Sequence, residues 1–444
     1  MTDDDEVRAA LANGVAEARA VLEDLVRIPS ISASPEHAGD VDAVIARVAE
    51  LARQLGAGQV DVVRTDGHPA VIASWPAPAG APTVLLYAHA DVQPTGPLDQ
   101  WSSPPFEPTE RDGRLYGRGA ADDKAGVAMH LAVLRAFGGK PPVGIVLFIE
   151  GEEEIGSPTL SAMLREHRDK LAADVIVIAD SGNASVEVPA LTTSLRGLVD
   201  AIVDVRMLER PVHSGVFGGP VGDALTALCR MLATLHDENG DVAIPGLHVA
   251  ESSAPDVREE AWREQAGVLP GVELMGTGSI PSRTWTRPAV SVLAIDAPST
   301  DQAINILLPR ARAVVSLRLA PGEDAQTAMK SLVSHLETNA PWGAQVEVTQ
   351  GAIGQGFAVE TIGPAFDTAR AAFAEAYGNE VVEMGVGGSI PFIAEFARAY
   401  PGAAVLVTGV GDPASRWHGI DESLHLGMWQ KACLAEALLL QRLA

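Results

Sequence analysis

Several apolar runs of this chain end in side chains that can bind metal or move protons. "TVLLYAHAD" (83–91) ends in His89 and Asp91, and "GIVLFIEGEEE" (144–154) in Glu150, Glu152, Glu153 and Glu154. "DVIVIAD" (174–180) ends in Asp180, and "GRGAADDKAG" (117–126) carries Asp122 and Asp123 into a helix. Near the C-terminus "SRWHGIDES" (415–423) supplies His418. Each has an ordinary reading when taken singly. A histidine after a strand is more often a hydrogen-bonded structural residue. Two aspartates before a helix complement its dipole, Asp180 suits a turn, and a glutamate run suits a solvated loop. Together, two histidines and several carboxylates suit a binuclear site. One carboxylate would bridge two cations, each also taking one histidine and one further carboxylate. Bound cations would also relieve the repulsion among so many acids.

The elements around these residues give a reason for them to converge. The runs at 83–89, 144–150 and 174–180 read as strands buried on both faces of a sheet. Helical spacing at 124–137 and 159–171 alternates with them, which predicts an α/β layer. Ligands in such sheets gather at the carboxyl ends of the strands. Residues 3–27 and 40–56 read as amphipathic helices. From about 191 the pattern changes to two strand–helix units with a partly alternating strand pattern, and after about 357 the first style returns. The expected organisation is a catalytic α/β domain at 1–190 and 357–444, interrupted by a smaller α+β domain at 191–356.

Composition narrows the partners. The chain has 444 residues, 47% of them hydrophobic and 20% charged, with a net charge of -26. Two domains are the natural division at this length. So acidic a chain disfavours nucleic acid and anionic membranes as partners. No run reaches the about 20 apolar residues of a membrane helix, and "MTDDDEVRAALANG" has no basic or apolar signal region. Two cysteines, Cys229 and Cys433, are too few for a disulfide scaffold. A cytoplasmic protein is expected. H-E-x-x-H, G-x-S-x-G and P-loop motifs are absent, and "GRGAAD" lacks the third glycine of a dinucleotide fingerprint.

"YAHADVQP", "GRGAADDKAG", "EGEEEIGS", "VHSGVFGG" and "GVGGSIPF" occur in this order. Together they resemble the dinuclear zinc metallopeptidases: carnosine and other dipeptidases, glutamate carboxypeptidases, aminoacylases, acetylornithine deacetylase and succinyl-diaminopimelate desuccinylase. The wording of "HADVQP" and "VHSGVFGG" is closer to the dipeptidase-type members. Ala90 and Ala125 depart from common family residues without touching an expected ligand, and 250–290 aligns with nothing. The resemblance implies a zinc-exopeptidase-like catalytic domain with a mostly parallel sheet flanked by helices, and an inserted lid domain that forms a homodimer.

The resemblance also implies roles, residue by residue. His89, Asp122 and Asp180 would hold one metal, and Asp122, Glu154 and His418 the other, with Asp122 bridging. Two zinc ions per subunit are implied, with manganese or cobalt feasible for ligands that include no thiolate. Asp91 would orient the His89 imidazole. Glu153 would be the general base for a water held between the metals. His213 would polarise the substrate carbonyl, and Arg318 would hold a substrate carboxylate. Gly388 and Ser389 would offer backbone donors to that carboxylate, and Asn305 belongs to a lid motif. The implied activity is hydrolysis of dipeptides or short peptides. A deacylase of N-acyl amino acids is the second reading, and a catalytically silent metal- or peptide-binding relative the third.

Overall fold

The computed structural model describes residues 3–252, 254, 256–359, 361–387 and 391–444. They cluster into two compact units, the first made of 3–193, 359 and 361–384, and the chain from 392 to its end. The second takes 194–358, with a short return from 385. The glycine-rich stretch 385–387 thus groups with the second unit, whereas the sequence pattern assigned it to the catalytic domain.

The first unit is built on one sheet whose middle is parallel. Gly144–Glu150, Thr83–His89, Val175–Ile178 and Ala404–Val407 run side by side in the same direction. The edges are antiparallel: Ala70–Trp75 and Gln59–Val63 on one side, Ala190–Leu195 on the other. Every residue of Gly144–Glu150 and Val175–Ile178 is buried, as expected when helices cover both faces. Helices Asp3–Val26, Lys124–Ala136, Pro364–Tyr377 and Leu426–Leu443 pack into the core with the sheet. The helix expected over 159–171 is shorter, Leu160–Glu166, and turns follow it.

Register sets the site. His89 pairs with Glu150, and Tyr87 pairs with Ile178. Three parallel strands therefore end at one level, and the residues just beyond them share one edge. That is the physical reason side chains from positions 89, 150–154 and 180 meet.

The second unit is an antiparallel sheet in the order Ala289–Asp296, Arg310–Leu319, Gly197–Arg206, Gln345–Gly354. Gly197–Arg206 alternates buried and half-buried residues over its first part. Its buried set packs with helices Ala224–Ala233 and Ala325–Thr338 in a separate core. Both helices are capped by an aspartate: Asp223 accepts from Thr226 N–H and Asp324 from Thr327 N–H. The described residues of the unaligned segment 250–290 are tied by polar links within this unit. Asp241 accepts from Thr277 N–H and Oγ1–H, Asp256 from Ile280 N–H, and Glu251 pairs with Arg287. Its Trp285 side chain lies against Gly385, where a Cβ would come within 2.5 Å of it.

Candidate metal centre

Six acidic and imidazole side chains named from the sequence converge at the strand ends of the first unit. His89 Nε2 lies 3.2 Å from Asp122 Oδ1 and 3.9 Å from both Asp180 Oδ1 and Glu153 Oε2. His418 Nε2 lies 3.1 Å from Asp122 Oδ2 and 3.2 Å from Glu154 Oε2. Asp122 thus stands between the two histidines, one oxygen towards each. Among the described residues, two groups of donor atoms fall within 4.8 Å of one another: His89, Asp122 and Glu154, and His89, Asp123 and Asp180.

Asp123 separates from its neighbour on closer view. It is the N-cap of Lys124–Ala136, its Oδ1 accepting from Gly126 N–H at 3.2 Å. Its Oδ2 accepts from the backbone N–H of His89 at 3.4 Å. The helix-capping role that suits the acid pair thus belongs to Asp123, while Asp122 faces the imidazoles.

The glutamate run divides in the same way. Glu150 is buried and accepts from the Tyr87 hydroxyl at 2.7 Å. Glu152 is buried and accepts from His68 N–H at 2.9 Å, Thr159 N–H at 2.8 Å and the Thr159 hydroxyl. These two hold the turn; Glu153 and Glu154 face the site.

Asp91 does more than steady an imidazole. Its carboxylate lies 3.4 Å from His89 Nδ1, which also donates to the Asp91 carbonyl at 3.1 Å. The same carboxylate accepts from Glu153 N–H at 3.1 Å and Glu154 N–H at 3.0 Å. One buried acid therefore sets His89 and the backbone of both facing glutamates. Gln93 completes Glu154, donating its N–H to Oε1 at 3.1 Å and its amide to the backbone carbonyl at 2.9 Å. We expect Asp91→Asn to cost about 10–100-fold in metal affinity or activity, the usual scale for a residue that orients a ligand. Chelator competition on the purified variant checks this.

His418 sits on a tight turn. Arg416, His418 and Asp421 have φ of 55°, 58° and 57°, a left-handed region that non-glycine residues rarely adopt. Trp417 packs over Gly182 and Gly411, where a Cβ would meet the indole at 2.6 and 2.0 Å. Only glycine leaves room there, so these two positions fix where the turn lies.

The electrostatics fit a cation site. Burial and Asp180 push Glu153 well above the usual carboxylate range, burial brings Asp180 up to about 7, and burial and Asp122 raise Glu154. Burial also works to raise Asp122, but hydrogen bonds from His418 and His89 outweigh it and hold its carboxyl well down. Hydrogen bonds to Asp122 and Glu154 push His418 up to about 10. Burial opposes a charge on His89, yet its bonds to Asp122 and Asp91 hold it well above its ordinary value. Two imidazoles and several hard carboxylate oxygens, without a thiolate, form a donor set that divalent zinc, manganese or cobalt accepts.

The remaining sequence-named residues lie in the second unit. His213 is exposed, and its Nδ1 accepts from Gly215 N–H at 3.1 Å, a local turn cap. His213 pairs with Ile306, and the carbonyl of exposed Asn305 accepts from Ser214 N–H at 3.0 Å, so the two motifs are neighbours. Arg318 is half-buried on Arg310–Leu319, opposite Leu198 and Ala289. Arg196, not named from the sequence, is half-buried and donates to the Gly387 carbonyl at 3.1 Å. Gly388 and Ser389 lie outside the described residues.

Comparison with known proteins agrees with this architecture. The family model "Peptidase family M20/M25/M40" matches residues 85–442. A cysteinylglycine-S-conjugate dipeptidase of Corynebacterium striatum is 37% identical over 429 residues, covering 94% of this chain and 93% of the relative. A Beta-Ala-His dipeptidase of Rattus norvegicus is 29% identical, covering 69% of this chain and 68% of its own. The crystal structure of human carnosine dipeptidase 1 superposes with a TM-score of 0.85 at 25% identity, covering 100% of this chain and 99% of that one.

Proposed function

We propose, since the chain belongs to peptidase family M20/M25/M40, that it is a metal-dependent dipeptidase cleaving the amide bond of dipeptides or short peptides. The observation that carries this reading is the convergence of His89, Asp122, Glu154 and His418, with Asp180 and Glu153 beside them, at the ends of parallel strands. The names of the relatives from C. striatum and R. norvegicus support the substrate class.

In this reading His89, Asp122 and Asp180 hold one zinc ion, and Asp122, Glu154 and His418 a second. Bound there, the ions supply Lewis acidity and a water acidic enough to be deprotonated near neutral pH. Glu153 takes the proton from the attacking water and returns it to the leaving nitrogen, so that the amide gives one carboxylate and one free amine. Asp91 holds the Glu153 backbone during that transfer. His213 serves to polarise the substrate carbonyl and Arg318 to hold its carboxylate, with Gly388 and Ser389 as backbone donors and Asn305 beside His213. A homodimer through the second unit is part of the proposal. Its edge strand Ala289–Asp296 exposes Val292, Leu293 and Ile295, which supports pairing with another copy. Among the described residues no helix is long and apolar enough to cross a membrane. A cytoplasmic location is proposed with this.

The test is a panel of free dipeptides against N-acetyl and N-succinyl amino acids on metal-loaded protein. Turnover of free dipeptides is expected, and activity confined to the acylated substrates would replace this reading with that of a deacylase.

A further inference from the structure

Four residues beyond His418 the chain buries a carboxylate, Glu422, completely. Its Oε1 accepts from Ala121 N–H at 2.9 Å and Asp122 N–H at 3.2 Å. Its Oε2 accepts from Gly119 N–H at 3.1 Å and from Arg118 Nη1 at 2.6 Å. Arg118, equally buried, turns its other terminal nitrogen to the carbonyls of His418 at 3.0 Å and Pro94 at 3.1 Å. Each oxygen of Glu422 thus accepts two hydrogen bonds.

We propose that Arg118 and Glu422 are positioning residues that fix the spacing between Asp122 and His418. Glu422 grips the backbone of the loop that presents Asp122. Arg118 grips the backbone carbonyl of His418 itself. The ion pair joins the two grips, so two ligand-bearing segments about 300 residues apart in sequence become one rigid piece. The need for such a joint is visible in the His418 turn, whose left-handed residues persist only where surrounding contacts over-determine them. Asp421 adds a flank of the same turn, accepting from Ser102 N–H and hydroxyl at 2.9 and 2.6 Å.

The inference rests on the proposed metal site and reaches further, because it predicts which metal position fails. His89 and Asp180 are carried by the sheet and owe nothing to the clamp. Glu154 is held by Asp91 and Gln93. Asp122 and His418 are the two ligands whose placement depends on it. Loosening the clamp should therefore weaken most the position shared by Asp122, Glu154 and His418, which has two ligands on the clamp, and weaken less the one at His89, which has only Asp122 there.

Glu422→Gln is the direct test. The amide can accept with only one end, so one pair of donors must face its NH2 group. Metal retention is read by competition with a chromophoric chelator on the loaded protein, beside kcat, KM and Tm. One metal position is expected to weaken about 10–100-fold, with kcat falling, KM within about twofold of wild type, and activity restored by excess metal. Arg118→Lys, which keeps the charge but loses the fork, should show the same pattern, and it decides the matter if Glu422→Gln does not fold. Leu438→Ala, in the core of the last helix, is the control: a lower Tm with unchanged metal retention. If either clamp variant lowers Tm but holds metal as tightly as wild type, the pair is only structural and the inference falls. Wild-type protein that binds no metal in this competition would instead overturn the proposed function.

Discussion

Glu153→Gln is expected to keep its metal and lose hydrolysis by at least about 10³-fold, within the range general acid–base catalysis commonly supplies. The substitution preserves size, and the backbone N–H of residue 153 still donates to Asp91. What disappears is a carboxylate able to accept a proton. Its surroundings suit that task. Burial, then Asp180, raises the Glu153 carboxyl well above its ordinary range, which moves a carboxylate towards the basicity that proton abstraction from water requires. His89, 3.9 Å away, offsets only part of this. Turnover measured beside metal content checks it: low activity with full metal supports Glu153 as the base, and unchanged turnover refutes it. Low activity with lost metal would mean that Glu153 is a ligand.

The contrast with Glu152 shows how far the sequence could be read. Four glutamates within 150–154 are indistinguishable by type and spacing. What separates them is the partners that other segments deliver. Tyr87 reaches Glu150 from the neighbouring strand, and His68 and Thr159 close on Glu152 from either side of it in sequence. The parallel strands and the convergence of their ends were legible because burial on both faces leaves continuous apolar runs, and because such sheets place ligands at one edge. Asp122 and Asp123 were legible as a pair but not as individuals until the helix took Asp123 as its cap. Glu422 left no signal at all: its partners Arg118, Gly119, Ala121 and Asp122 lie about 300 positions away, and no local pattern encodes them. The same holds for the described residues of 250–290, which are tied by scattered polar links rather than by periodicity.

Asp122→Asn is the second large effect expected, and it should appear first as a loss of metal-linked stability. A ligand that binds only the folded state stabilises it by about 4 kcal/mol at a thousandfold excess over its dissociation constant. Wild-type protein stripped by a chelator should therefore melt well below the loaded form and recover when zinc is returned. The variant should lack this gain, because Asp122 faces both His89 and His418, at 3.2 and 3.1 Å. An asparagine presents one weakly coordinating oxygen where two anionic ones stood, so both proposed positions lose a ligand at once. The metal-free variant should itself melt below metal-free wild type: burial disfavours the Asp122 charge, but the hydrogen bonds from His418 and His89 outweigh it, and the substitution leaves both imidazoles without that carboxylate. The comparison is made within each protein, loaded against stripped. The signature is therefore a difference of differences: zinc raises Tm in the wild type and leaves Asp122→Asn nearly unmoved. A full zinc-dependent rise in the variant would show that Asp122 bridges nothing, and would transfer that role to the neighbouring Asp123.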